Sequence, residues 1–125
     1  MAQIRELYLT AASTAARLLA APEVAAAWHG PSALPKLSVR GLAGHLAGQI
    51  FFIPKVLAEP VPAEEVIGLH EYYARVHWIG SDLDDPFNVL IRTSGEEDAA
   101  DGPAALAAQV EATVATLRLP RRWCG

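Results

Sequence analysis

SVRGLAGHLAGQIFFIPKVLA, residues 38–58, decides the fold. Ser38 has the side chain of a helix N-cap. From there Val39, Leu42, Leu46, Ile50, Ile53 and Leu57 return at the three- and four-residue intervals of an amphipathic helix. The spacing predicts a helix over 39–58, with Pro54 expected to kink it or end it early. Gly41, Gly44 and Gly48 each lower helix propensity by roughly 1 kcal/mol relative to Ala. Glycines so placed imply that another backbone or a ligand comes close on that side.

Upstream, residues 4–19 line up Ile4, Leu7, Tyr8, Ala11, Ala12, Ala15, Leu18 and Leu19 as a second helical stripe, with Arg5, Glu6, Thr10, Ser13, Thr14 and Arg17 mostly opposite. Pro22 breaks this helix or opens the next turn. PEVAAAW (22–28) reads as a short helical piece, and HGPSALPKLS (29–38) as a connector. Downstream, EPVPAE (59–64) is a break, and Pro62, Glu64 and Glu65 suit the start of a helix over 63–78. The acidic stretch 80–102 reads as turn-rich, its middle FNVLIR (87–92) being a short strand or a buried turn. Asp101 is expected to cap the last helix, with Pro103 in its first turn, Leu106, Val110, Val114 and Leu117 as its core stripe and Pro120 as its stop. The strand signal is too thin for a sheet. The expected fold is an all-α helical bundle with one long crossover connection, residues 1–125 forming a single domain.

Composition narrows the function classes. With 52% hydrophobic and 19% charged residues, the chain is not intrinsically disordered. A net charge of −4 offers no basic surplus for a phosphate backbone, so nucleic acid is excluded as the expected partner. The single cysteine, Cys124, excludes a disulfide framework and a Cys-rich zinc site. The 24 alanines favour helix. Arg5, Glu6 and Arg17 interrupt the first residues, which therefore do not form a signal peptide. The uncharged run 41–54 holds His45 and Gln49 and is shorter than a bilayer span, so no membrane is expected and the cytoplasm is the expected location.

Among residues able to carry chemistry, His45 stands out. It follows Leu42 by three positions and so shares the inward face of its helix. There it either binds a metal through neutral imidazole or is a core histidine satisfied by a hydrogen bond. His70 and His77 are seven residues apart, about 10 Å along a helix axis, too far to share one ion. His29 lies in the polar connector and reads as solvated. Asp82, Asp84 and Asp85 could face a hard cation, yet lack the glycine and closing glutamate of a calcium loop, so a solvated acidic loop is the better reading. Arg121 and Arg122 beside Cys124 would lower its thiol pKa, but a frayed terminus is the simpler picture. Tyr72, Tyr73 and Trp78 are expected to pack. There is no Ser-His-Asp order, phosphate loop or nucleotide fingerprint.

PEVAAAWHGPSALPKLSVRGLAGHLAGQI (22–50), with its Trp, Ser-Ala-Leu-Pro link and Gly-His-Leu-Ala helix, resembles the N-terminal metal-binding domain of mycothiol-dependent maleylpyruvate isomerases, of the DinB-like superfamily. EYYARV (71–76), SDLDDPFNVLIR (81–92) and DGPAALAAQVEATVATLR (101–118) are similar to the family's middle region. The resemblance implies a four-helix bundle holding a divalent metal, usually zinc, with His45 as its first ligand. It further implies a Glu and a His four residues apart on a late helix. A fourth position would take the thiol of mycothiol, whose thiolate adds to the cis double bond of the substrate, lets the bond rotate and is eliminated. The partners implied are a small-molecule thiol and an electrophilic substrate.

The sequence departs from that pattern: it contains no Glu-x-x-x-His, and Glu71 and His77 are six apart. The expectation is a DinB-like bundle lacking its final helix, holding zinc weakly or not at all and inactive as this short chain. It would leave an apolar groove beside the 103–118 helix. The alternative is a non-catalytic helical module that forms a homodimer or binds a partner helix through that groove.

Overall fold

The structure, a computed structural model, describes residues 2–120. Six helices follow one another: α1 (Ala2–Leu19), α2 (Pro22–Ala26), α3 (Val39–Ala58), α4 (Leu69–Arg75), α5 (Pro86–Asp98) and α6 (Pro103–Arg118). The described residues form no strand beyond an isolated bridge between Pro31 and Ser38. The fold is the expected all-α helical bundle, and the 27 residues between α3 and α5 are its long crossover.

α1, α3 and α6 pack on one another, and α5 packs on α3. The core draws Leu9, Ala12, Ala16 and Leu19 from α1, Ala43, Ala47 and Ile50 from α3, and Leu106, Ala107, Val110, Val114 and Leu117 from α6, with Trp28 beneath. The α6 stripe is the one its spacing predicts. In α1 the buried face is turned from the expected one, since Ile4, Leu7 and Leu18 are exposed. Alanines at 11, 12, 15 and 16 make this helix apolar on two sides, so periodicity alone did not choose between them. α3 buries the small residues Gly41, Ala43, Gly44 and Ala47 along with Ile50 of the expected stripe, because neighbours approach on more than one side. By length and composition α3 could cross a membrane, and so exceeds the shorter run read from sequence. Here it is the helix in contact with α1, α5 and α6.

The start of α3 is held by the segment before it. The Val39 N–H donates to the Gly30 carbonyl (2.9 Å), the Arg40 N–H to that of Trp28 (2.9 Å), and the Gly41 N–H to Ser38 Oγ (2.9 Å). Three N–H groups that a helix start leaves without internal partners are thus satisfied, and Ser38 caps as expected. Pro54 neither stops α3 nor sets its end, which lies at Ala58. It costs a bond only in the last turns of a helix fixed by packing along its earlier length.

Three expectations need correcting. FNVLIR is neither strand nor turn but the first half of α5. Asp85 caps that helix by accepting from the Phe87 N–H (3.0 Å), and Pro86 occupies its first position. The helix expected over 63–78 is confined to Leu69–Arg75. Asp101 does not cap α6: the N-cap position is Gly102, at φ 96°, with no side-chain bond.

Candidate functional site

α3 and α5 cross where both are stripped of side chains. A Cβ on Gly44 would run into the Gly95 carbonyl, and one on Gly95 would run into that of Gly41. Gly44 therefore does admit another backbone, as does the Gly41 carbonyl that faces Gly95, whereas Gly48 faces the Asp98 side chain. At this crossing Ser38 Oγ donates to Glu96 Oε1 (2.5 Å), the Arg40 guanidinium lies 3.0 Å from Glu96 Oε2, and Arg40 Nη2 donates to the Glu96 carbonyl (3.1 Å). These bonds fix the two helices in register.

Beside the crossing, α3 and α5 part into a cleft of about 360 Å³. His45, Gln49 and Phe52 line it from α3, and Leu90, Ile91, Ser94 and Asp98 from α5. Ser94 and Asp98 are one helical turn apart and so share a face. His45 is half-buried on the cleft wall, and its ring makes no hydrogen bond or ion pair to another described residue. A core histidine satisfied by a hydrogen bond is therefore not what the structure contains. The side chain stands at an opening with a carboxylate, an amide and a hydroxyl around it, a donor and acceptor set suited to a small polar molecule with an apolar portion.

A zinc site takes three or four protein ligands. The cleft brings together one histidine and one carboxylate, and among the described residues no group of three or more His, Cys, Asp or Glu side chains converges. The described residues therefore do not fit a zinc centre. His29, His70 and His77 are all exposed and none lines the cleft. Cys124 lies outside the described residues.

The acidic cluster is spent on structure. Asp85 caps α5, Asp82 Oδ1 accepts from the Asp84 N–H (2.8 Å), and Asp84 pairs with Lys36 (2.6 Å) and lies 3.6 Å from Arg92. The Lys36 hydrogen bond, and then its charge, hold the Asp84 carboxyl below its ordinary pKa. Tyr72, Tyr73 and Trp78 pack edge to face on one another, with ring centroids 5.2 and 6.4 Å apart, and remain largely at the surface. Sequence reasoning missed Ser94, Asp98 and Gln49 as site residues. The i, i+4 pair Ser94 and Asp98 was legible only once 86–98 was known to be helix.

The groove between α3 and α6 is lined by Phe51, Phe52, Lys55, Asp98, Gln109 and Thr113 among others, a mixed surface rather than the apolar one expected.

Six helices packed as a bundle, with a histidine on the wall of a cleft beside a glycine crossing, define the class as an all-α helical bundle domain. The model of the mycothiol maleylpyruvate isomerase N-terminal domain matches residues 8–123, and the chain belongs to that family. No curated protein and no solved structure matches the chain.

Proposed function

We propose that the cleft between α3 and α5 takes up mycothiol or a thiol of that class, with His45 as the group that meets the sulfur. The observation that carries this reading is the half-buried His45 ring on the wall of a cleft, with no hydrogen bond or ion pair to another described residue, in a chain of this family. Neutral imidazole accepts a hydrogen bond from a thiol, and accepting its proton would leave the nucleophilic thiolate. Phe52, Leu90 and Ile91 offer an apolar wall, and Gln49, Ser94 and Asp98 a polar rim to orient the rest of the molecule. An electrophilic substrate of the family's kind would enter the same cleft.

His45 is also the family's expected first ligand for a divalent metal, zinc by resemblance. Its companion ligands are not supplied by the described residues, so no step is drawn through the metal. The chain of 125 residues is proposed to hold zinc weakly and not to isomerise maleylpyruvate by itself. A reducing cytoplasm, where a small thiol stays reduced, is the location this reading implies.

Calorimetric titration with mycothiol tests the reading: the parent chain should bind, and His45→Ala should bind at least ten-fold more weakly. Equal binding by the two would overturn it. Stoichiometric zinc surviving dialysis against a mild chelator, or turnover of maleylpyruvate lost in His45→Ala, would overturn the inactive assignment and point to ligands from a second chain.

A second reading, a non-catalytic helical module that associates as a homodimer, is favoured by one observation: Ile4, Leu7 and Leu18 form an uncovered apolar stripe on α1.

A further inference from the structure

The crossover carries apolar side chains that remain largely exposed. α4 has the spacing of an amphipathic helix, with Leu69, Tyr72 and Tyr73 at i, i+3 and i+4, and His70, Glu71 and Arg75 elsewhere. Yet Leu69 is 70% exposed, Tyr72 and Tyr73 are about half-exposed, and α4 is not among the helices that pack together. Val66, just before it, is 94% exposed. Such a face is a cost in water unless something covers it.

The second half of the match is on the same chain. Around the cleft, Phe52 on α3 and Leu90 on α5 are 60% and 59% exposed, with Phe87 also exposed near the start of α5. These residues flank the crossover on both sides: Phe52 lies six residues before the end of α3, and Phe87 one residue after the start of α5. Two apolar surfaces joined by a short tether meet at a far higher effective concentration than either meets a separate molecule.

The tether permits the meeting. Residues 59–68 form no helix and reach about 33 Å when extended. That exceeds the length of α3, roughly 30 Å for its 20 residues. The other end is anchored at α5. Asn88 Nδ2 donates to Ser81 Oγ (2.9 Å) and to the Asp82 carbonyl (2.8 Å), Arg92 Nη1 donates to the Leu83 carbonyl (2.6 Å), and Lys36 pairs with Asp84. Residues 81–85 are thus a fixed footing, while α4 makes no comparable packing contact with another helix.

We propose that α4 is a lid that closes over the cleft, seating Leu69, Tyr72 and Tyr73 on Phe52 and Leu90 and taking the His45 ring out of bulk water. Tyr72 and Tyr73 already pack edge to face on the lid, so closure moves the pair as one unit, while Trp78, whose carbonyl accepts from Ser81 Oγ (2.7 Å), stays with the footing. Closing the cleft excludes water and strengthens every polar interaction inside it. The inference goes beyond thiol binding and stands whether or not mycothiol is the ligand.

Cross-linking tests it in the full chain. With Cys124→Ser as background, Phe52→Cys and Tyr72→Cys together should form an intramolecular disulfide at least ten-fold faster than the control pair Leu7→Cys and Tyr72→Cys. Leu7 is on α1, which contributes nothing to the cleft. Once locked, His45 should react with diethylpyrocarbonate several-fold more slowly than after reduction, with His29 unchanged in the same peptide map. Leu69→Glu, which needs no oxidation, should speed the modification of His45. Equal rates for the two cysteine pairs, disulfides found only between chains, or a His45 reactivity indifferent to both lock and charge would each overturn the lid.

Discussion

Gly44 and Gly95 meet main chain against main chain: a methyl group on either would occupy space already filled by a carbonyl of the facing helix. This contact sets how closely α5 approaches α3, and therefore the width of the cleft that opens beside it. Gly44→Ala gains roughly 1 kcal/mol of helix propensity. It loses more, because the obstruction is backbone and cannot rotate away, and overpacking of this kind costs about 1–3 kcal/mol or more. The expected outcome is a lower melting temperature, followed by circular dichroism. Gly68→Ala, where a new Cβ meets nothing within 4 Å, is the control and should melt with the parent. A Gly44→Ala chain as stable as the parent would mean the helices do not touch here.

Glu96 joins Ser38 and Arg40 at the same crossing. The Arg40 and Glu96 side chains are 31% and 40% exposed, so solvent screens much of their attraction. Urea unfolding of Glu96→Ala, Arg40→Ala and the double variant should give a coupling energy of about 0.5–1 kcal/mol. A coupling of zero would remove the Arg40–Glu96 pair as a fastening and leave the glycine contact and the Ser38–Glu96 bond.

The part of this site that was legible in the sequence is the part α3 carries. Ser38 and the glycines belong to a helix whose cap and spacing agree, and the structure forms that helix with Ser38 as its cap, though it runs on through Pro54 and holds His45 half-buried at a cleft rather than in the core. The α5 half was hidden by conflicting local signals. Asp85-Pro86 is a helix start, but the β-branched and aromatic run after it, and Gly95 within it, speak against helix. What overrides those preferences is the crossing itself: Gly95 is unfavourable in an isolated helix and required in this one. α4 failed in the opposite sense. Glutamates after Pro62 suggested a helix start, but no partner covers residues 59–68 and the helix forms only beyond Gly68. Tertiary contact overrode propensity at α5, and its lack left residues 59–68 outside a helix.

Asp84 gives a pH dependence with a definite sign. Its carboxyl is held below the ordinary 3.8 by the Lys36 hydrogen bond and charge, Arg92 adding less. A depressed folded pKa contributes stability above the unfolded value and loses it as pH falls through the folded one. The tie between the 29–38 connector and the footing of the crossover should therefore persist at neutral pH and release only as pH falls below 3.8, through the depressed folded value. Carboxyl resonances followed by NMR should place the Asp84 midpoint below that of an unpaired aspartate. Lys36→Met should return it to the ordinary range, and an unchanged midpoint would remove the pair from solution.

Leu7 and Leu9 decide which face of α1 is inside. The three- and four-residue spacing puts Leu7 with Ile4, Ala11 and Leu18, whereas in the bundle Leu7 is 63% exposed and Leu9 only 1%. Leu9 joins Ala12, Ala16 and Leu19 against the core, with α6 the main neighbour of α1. The alanines at 12 and 16 let two helices approach closely, a fit that the bulkier Leu7 and Leu18 on the other face would not give. Leu9→Ala should then cost about 2–5 kcal/mol, the range for a leucine removed from a packed core. Leu7→Lys should change stability by no more than about 0.5 kcal/mol, the usual scale for a surface site. The reverse order of costs in denaturant unfolding would restore the face read from sequence. Sedimentation of the same Leu7→Lys chain separates the two functional readings. If α1 carries a homodimer through Ile4, Leu7 and Leu18, the parent sediments as a dimer at micromolar concentration and the variant as a monomer. A parent that is already monomeric leaves that stripe as ordinary exposed surface and removes the homodimer.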